Sequence, residues 1–176
     1  MLDPSIGAVT NISILTGLDS QPDVTYERTS QHFLAVWRTV FSSTNADIRG
    51  VLLDTNGALV GNLLVIDSSS EFTSSPHVAS WSTGGYFGVV YNWHMFDWAT
   101  GWHNIVYVRF LDVATGAWVY DVVAADSLTS NGFSEPDIGS EPDAAVGSGN
   151  GFVVVYKNFD NNVVEACTVS FLPATP

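Results

Sequence analysis

The chain has 176 residues, 46% of them hydrophobic, which is enough for one domain with a core of its own. Its 18 acidic and 5 basic residues give a net charge of −13. A nucleic-acid partner is therefore not expected, because such partners are held largely by Lys and Arg side chains on phosphates. Anionic membrane surfaces are disfavoured for the same reason, and no apolar run reaches the roughly 18 residues of a membrane-spanning helix.

Cysteine usage and the N-terminal residues leave the compartment open. The single cysteine, Cys167, excludes an intramolecular disulfide. The first residues lack the basic start and the uninterrupted apolar run of a signal peptide. We therefore predict a soluble chain of unassigned compartment, with a secreted or cell-surface protein whose leader has been removed as the alternative.

Strand-like runs recur along the chain in three copies of one unit, after a first strand at residues 9–15. Each copy has a short strand after a proline, an apolar run that starts with Phe, a strand of alternating character and a more polar strand. In chain order these are Pro22, 33–37, 48–53 and 59–66; Pro76, 87–91, 105–111 and 118–124; and Pro142, 152–156 and 163–172. No segment has a sustained helical spacing of apolar residues, so the chain is predicted to be all-β.

The spacing of this unit is typical of a β-propeller with four-stranded blades. Leu-Asp followed by Gly-Ala recurs from Leu2, Leu53 and Leu111, always just before the last strand of a blade. We predict a single propeller-type domain over residues 1–176. It consists of a closing strand in 1–17, a first blade in 18–67, a second blade in 68–126 and a third blade in 127–176 that lacks an outer strand of its own.

Several motifs resemble the blades of bacterial propeller-like repeat proteins, many of which are secreted or exposed on the cell surface. The first copy carries the resemblance best, through Phe-Leu-x-Val-Trp at 33–37, Asp-Ile-x-Gly at 47–50, Leu-Asp at 53–54 and Gly-x-x-x-Gly at 57–61. The other two copies have Tyr107 and Thr168 where Gly50 would align. The resemblance implies a propeller fold but no activity, because propellers carry many unrelated functions.

Three blades are fewer than the roughly four to eight of typical propellers, and they leave terminal sheet edges open. We therefore predict a homodimer that forms a six-bladed ring. In it, residues 9–15 of each chain complete the third blade of the other chain, beside residues 163–171. A distorted monomer, another oligomer and a piece of a larger propeller are the alternatives.

One face of the predicted ring is set apart by a loop over residues 92–104, which carries three of the six tryptophans and two of the four histidines. Seven residues of this loop form the predicted binding site: Trp93, His94, Phe96, Asp97, Trp98, Trp102 and His103. Indole rings can stack on the flat faces of sugars, and Asp97 and Asn104 can accept and donate hydrogen bonds to a ligand. Packing at the ring centre or in a subunit contact is the alternative role for these aromatic residues.

The sequence gives little support for catalysis or for metal binding. Nucleophile-elbow, zinc-protease and phosphate-loop motifs are absent, so no catalytic residue is predicted. The spacing of His94, Asp97 and His103 matches no zinc motif, and Glu-Pro-Asp at 135–137 and 141–143 lacks the spacing of a calcium loop. We predict no metal and no cofactor, and a non-enzymatic binding module for a glycan or a protein ligand. A glycoside-cleaving enzyme and a structural interaction protein are the alternatives.

Overall fold

A computed structural model describes residues 9–13, 16–81, 85–128, 132–140 and 151–169. Over these ranges the chain has eleven strands in two sheets and no helix, which confirms the all-β prediction. Within the same ranges, no helix has the length and apolar character to cross a membrane.

The strands form three antiparallel meanders that follow one another along the chain. The first meander is β1 (Leu18–Glu27), β2 (His32–Val40), β3 (Ala46–Leu53) and β4 (Leu59–Asp67). The second is β5 (Phe72–Trp81), β6 (Tyr86–Asp97), β7 (Gly101–Asp112) and β8 (Ala117–Ser127). The third is β9 (Phe133–Ser140), β10 (Phe152–Asn158) and β11 (Val163–Val169). A single parallel pairing of Ala46 with Phe72 joins the first two meanders into one eight-stranded sheet.

The core lies between successive meanders, and the second strand of each meander is its most apolar member. Between the first two meanders, Leu34 and Ile48 pack with Phe87 and Val89 in one buried cluster. A second cluster joins the second and third meanders through residues such as Phe110, Val106, Phe152 and Val154. Strand β6 is apolar on both faces because one face meets the first meander and the other meets the third. One face of β2 likewise meets the second meander, whereas its other face packs with Ile12.

A proline-containing β-bulge recurs in the first strand of every meander. The residue before each proline adopts a left-handed backbone conformation, with φ of 54° at Gln21, 53° at Ser75 and 50° at Glu135. The strand register shifts at each of these sites. A bulge tolerates proline within a strand because its residue need not donate a ladder hydrogen bond.

The third member of this series is Pro136, so the prediction that Pro142 opens the third unit is wrong. Pro136-Asp137-Ile138 occupies the position that Pro22-Asp23-Val24 and Pro76-His77-Val78 occupy in the other meanders. Pro142 itself lies outside the described residues. Glu-Pro-Asp occurs twice in this region, and the first occurrence is followed by Ile138, which the core buries.

The first strands of the three meanders pack in series, β1 against β5 and β5 against β9. The Ser80 hydroxyl donates to the carbonyl oxygen of Tyr26 over 2.7 Å, and the Ser140 hydroxyl donates to the carbonyl oxygen of Ser80. The backbone N–H of Val78 also donates to the Asp23 carboxylate over 2.9 Å. The same type of contact thus links equivalent positions of successive repeats.

The predicted N-terminal strand is not formed over the described residues 9–13 of the single chain. Instead Ile12 packs against Ala35, Trp37 and Val51 of the first meander. Residues 14–15 and 170–171, which belong to the predicted strand pairing, lie outside the described residues. The exchange of this segment between two chains stays a prediction.

Candidate functional site

The aromatic segment 92–104 is not a loop but the paired end of the β6–β7 hairpin. Its ladder runs without interruption from Tyr86 opposite Asp112 to Asp97 opposite Gly101. Polar side chains interrupt the apolar run in this segment, and for that reason the sequence predicted a loop. Strand pairing nevertheless satisfies the backbone N–H and C=O groups, so the hairpin extends to its tip.

The tip is a three-residue turn that Asp97 organises. Its carboxylate accepts hydrogen bonds from the backbone N–H of Ala99 over 2.7 Å and of Thr100 over 3.0 Å. These two bonds lower the pKa of Asp97 below its usual range. Gly101 follows with φ of 95°, a conformation that favours glycine. Asp97 was predicted as a ligand contact, but its carboxylate is already engaged in the turn.

An exposed aromatic cluster occupies one end of the hairpin; we call Phe96, Trp98 and Trp102 the aromatic tip. The Phe96 ring centroid lies 5.2 Å from that of Trp98 and 5.2 Å from that of Trp102, both in edge-to-face contact. The exposed fractions are 39% for Phe96, 94% for Trp98 and 54% for Trp102. Three large apolar side chains are thus held together and presented to solvent.

Trp93, also predicted to bind ligand, lies apart from the aromatic tip. It packs on the core cluster between the first two meanders, with its ring centroid 5.7 Å from that of Tyr107. Successive strand residues point to opposite faces of a sheet, which separates Trp93 from Phe96. Trp93 therefore has a packing role between two meanders of one chain, which differs from the predicted alternatives of the ring centre and a subunit contact.

His94 lies in a stack of side chains between the first two meanders. Its ring centroid is 5.9 Å from that of Phe72, and the Arg38 guanidinium carbon lies 4.3 Å from the same Phe72 ring. Burial, and secondarily the positive charge of Arg38, lower the pKa of His94 below its usual range. The imidazole is therefore neutral at pH 7 and suited to hydrogen bonding.

His103 connects the hairpin turn to the end of β8. Its Nε2 lies 2.6 Å from the Thr100 hydroxyl, and its Nδ1 lies 2.9 Å from Oδ1 of Asp126. Thr100, His103 and Asp126 are thus arranged like a catalytic triad, in which a hydroxyl is the nucleophile, an imidazole is the base and a carboxylate orients the imidazole. The nearest turn amides, however, already donate to Asp97, so they cannot stabilise an oxyanion. The geometry supports a role in fixing the hairpin.

Two clefts flank the hairpin. The first, of about 460 Å³, lies between the first two meanders beside Trp102 and is mainly apolar; its lining comprises Ser43, Thr44, Ser70, Glu71, Phe72, His94, Trp102 and His103. The second, of about 790 Å³, lies between the second and third meanders and includes Asn92 and Asn104. Asn104 was predicted to form hydrogen bonds with a ligand, whereas Asn92 and Phe72 were not predicted as site residues.

No group of three or more His, Cys, Asp or Glu side chains in the described ranges is placed to hold a metal ion. The thiol of Cys167 is half-buried, and burial raises its pKa, so it is protonated at neutral pH and a poor nucleophile.

Comparison with known proteins finds no counterpart for this arrangement. No protein-family model matches the chain, and no curated protein and no solved structure matches it. The function must therefore be inferred from the site itself.

Proposed function

We propose that the chain is a glycan-binding module whose contact surface is the aromatic tip. The observation that carries this proposal is the exposure of Trp98 and Trp102 on a hairpin that strand pairing and Asp97 hold in place. An apolar surface of this kind in contact with water usually marks a binding site. The flat C–H faces of sugar rings match indole rings in shape and polarity.

The surroundings of the aromatic tip favour a neutral glycan. Trp102 and His103 both line the smaller cleft, which also offers Glu71 and the hydroxyls of Ser43 and Thr44. These groups can exchange hydrogen bonds with sugar hydroxyls at the edge of an aromatic platform. The net charge of −13 disfavours sulfated or uronic-acid polymers.

Truncation of the tip gives the direct test. We expect Trp98→Ala and Trp102→Ala each to weaken glycan binding by about tenfold or more, since tryptophans that a ligand covers on binding commonly contribute more than about 1 kcal/mol. A glycan array identifies the ligand, and titration calorimetry measures the affinity. Tyr120→Ala is the matched control, because Tyr120 is an exposed aromatic residue on β8, away from the tip.

Equal affinity in Trp98→Ala and the parent chain would contradict the proposal. If the parent chain binds no neutral glycan, and a bound protein partner instead covers the aromatic tip, the chain would be a structural interaction protein.

We also propose that the three meanders are blades of a six-bladed propeller formed by two chains. The serial packing of β1, β5 and β9 and the repeated serine-to-carbonyl hydrogen bonds support this arrangement. In the first two meanders a fourth strand covers the third, β4 on β3 and β8 on β7. Among the described residues no strand pairs with the outer edge of β11, where Val164 is 76% exposed.

Residues 9–15 of a second copy are the proposed occupant of that edge. They follow Leu2-Asp3 and Gly7-Ala8 as β4 follows Leu53-Asp54 and Gly57-Ala58. Pairing with β11 would remove the open edge, and the two-fold contact would be reciprocal.

Light scattering of the full chain at micromolar concentration should give twice the chain mass of 18.9 kDa. Deletion of residues 1–16 should abolish the dimer, and a peptide of residues 1–17 should bind the shortened chain with one-to-one stoichiometry. A monomeric full chain, or a deletion that leaves the mass of the particle at two chains, would contradict the ring.

A further inference from the structure

Successive meanders meet in the same way at both places where the chain brings two of them together. On β6, Phe87 shares a buried cluster with Leu34 and Val36 of the first meander. The opposite side of β6 carries Val90, which shares a cluster with Phe152 of the third meander. The second meander therefore offers one side of its second strand to the meander before it and the other side to the meander after it.

The outer face of the third meander is apolar and exposed. Val153 and Val155 hold the positions on β10 that Leu34 and Val36 hold on β2, counted from the phenylalanine of each run. Leu34 and Val36 are buried by the second meander, whereas Val153 is 46% exposed. Ala166 of β11, opposite Val155 in the ladder, is exposed on the same face. Within the described ranges, no meander follows the third one to cover this face.

The first meander has a matching exposed face on the side away from the second meander. Val24 of β1 is 56% exposed, whereas Val78 and Ile138, which hold the same position in the other meanders, are each 7% exposed. Phe33 is half-buried, whereas Phe87 at the same position of β6 is fully buried. The residues of the later meanders are buried because a meander precedes them in the chain. No described meander precedes the first.

The N-terminal segment lies on this face of the first meander as the fourth strand of a meander lies on the next meander. Ile66 of β4 packs in the cluster that joins the first two meanders, and Val122 of β8 packs against the cluster that joins the second and third. Ile12 packs in the same way on Ala35 and Trp37. The three strands that would accompany such a fourth strand have no counterpart in the described part of the chain.

We propose that the outer face of the third meander binds the first meander of a second copy of this chain. Val153 and Val155 of one copy pack on Val24 and Phe33 of the other, which removes both apolar faces from water. The inference rests on the two-chain ring proposed above and adds a face-to-face contact to the exchange of residues 9–15. Two different faces meet in this contact, so it occurs twice in a ring of two chains.

The contact also continues the row of first strands. Within one chain the Ser80 hydroxyl donates to the carbonyl oxygen of Tyr26, and the Ser140 hydroxyl donates to the carbonyl oxygen of Ser80. A first meander that follows the third one in space therefore brings Tyr26 of one copy beside Ser140 of the other. This pair of positions is specific to the proposed contact.

Crosslinking of these two positions tests the contact. Every chain carries Cys167→Ala, so that the native thiol does not react. One chain carries Tyr26→Cys, a second chain carries Ser140→Cys, and the two are co-expressed and treated with a short bismaleimide. We expect a crosslinked pair of chains in this sample and none when either chain is expressed alone, because each position meets the other and not itself.

Val153→Asp tests the apolar character of the contact. We expect the dissociation constant of the dimer, measured by analytical ultracentrifugation, to rise about tenfold or more, because the contact would bury an unpaired carboxylate. Val123→Asp is the matched control, because Val123 is 51% exposed on β8, away from the contact. Val153 faces water in the single chain, so both variants should keep the circular dichroism spectrum of the parent chain.

The outcomes separate this contact from the ring as a whole. A monomeric parent chain would contradict the ring and the contact together. A particle of two chains in which positions 26 and 140 do not crosslink would overturn the contact and leave the exchange of residues 9–15 standing. Equal dissociation constants of Val153→Asp and Val123→Asp would overturn it in the same way.

Discussion

Replacement of Gly88 by valine is expected to lower the free energy of unfolding by about 3 kcal/mol. Gly88 lies on β6, where the second meander meets the third. A Cβ atom at this position would lie 2.9 Å from Cε1 of Phe152, 3.0 Å from Cδ1 of Ile138 and 3.0 Å from Cε1 of Phe110. These atoms belong to buried side chains, so two meanders would have to move apart.

Gly139→Val is the matched control, because Gly139 also lies in a strand and a Cβ there would meet nothing within 4 Å. Valine favours strands, so this variant should be as stable as the parent chain or slightly more stable. Urea denaturation followed by tryptophan fluorescence measures both variants. Equal stability of Gly88→Val and Gly139→Val would contradict the close packing of the second and third meanders.

Replacement of Glu27 by alanine is expected to cost about 3 kcal/mol of stability. Glu27 is fully buried at the end of β1. Its carboxylate accepts the backbone N–H of Thr29 over 2.8 Å and that of Ser30 over 2.6 Å. Charge-assisted hydrogen bonds of this type contribute about 1.5–3 kcal/mol each, and alanine would remove the acceptor of both from the β1–β2 turn.

Asp54→Ala removes a carboxylate that has the equivalent role in the β3–β4 turn. The Asp54 carboxylate accepts hydrogen bonds from the backbone N–H groups of Asn56 and Ala58. Asp54 is only partly buried, whereas Glu27 is fully buried, so water can replace the bonds of Asp54 and the loss should be clearly smaller. Equal losses in Glu27→Ala and Asp54→Ala would show that burial of the Glu27 carboxylate does not matter. Thermal and urea denaturation of the two variants side by side makes the comparison.

Strand positions could be predicted from the sequence where the local pattern had only one interpretation. Residues 87–91 are apolar throughout, and they lie in the buried part of β6. The proline in the first strand of the third meander could not be identified in this way. Pro136 and Pro142 both lie within a Glu-Pro-Asp sequence, so local sequence does not distinguish them. The side chain that follows decides between them: Ile138 fills the core, as Val78 does. Tertiary burial, which local sequence does not display, made that choice.

Composition was enough to locate the candidate site in the sequence, but it did not show which of its residues are exposed and which are packed inside the protein. Clustered aromatic residues pointed to segment 92–104, and the structure brings Phe96, Trp98 and Trp102 together there. Side chains alternate between the two faces of a strand, and this alternation packs Trp93 against the core. A segment predicted to be a loop gives no such alternation to reason from. Asn104 was expected to hydrogen-bond a ligand and Asn92 was missed; that both amides are buried with unpaired carbonyl oxygens depends on the neighbours that folding brings.

Fluorine NMR of the chain labelled with 5-fluorotryptophan tests the glycan-binding surface most directly, because each of the six tryptophans reports its own contacts. Single Trp→Phe variants assign the signals. On addition of a neutral oligosaccharide, we expect the signals of Trp98 and Trp102 to shift and those of the buried Trp37 and Trp81 to stay unchanged. Unchanged signals of Trp98 and Trp102 at saturating glycan would contradict it.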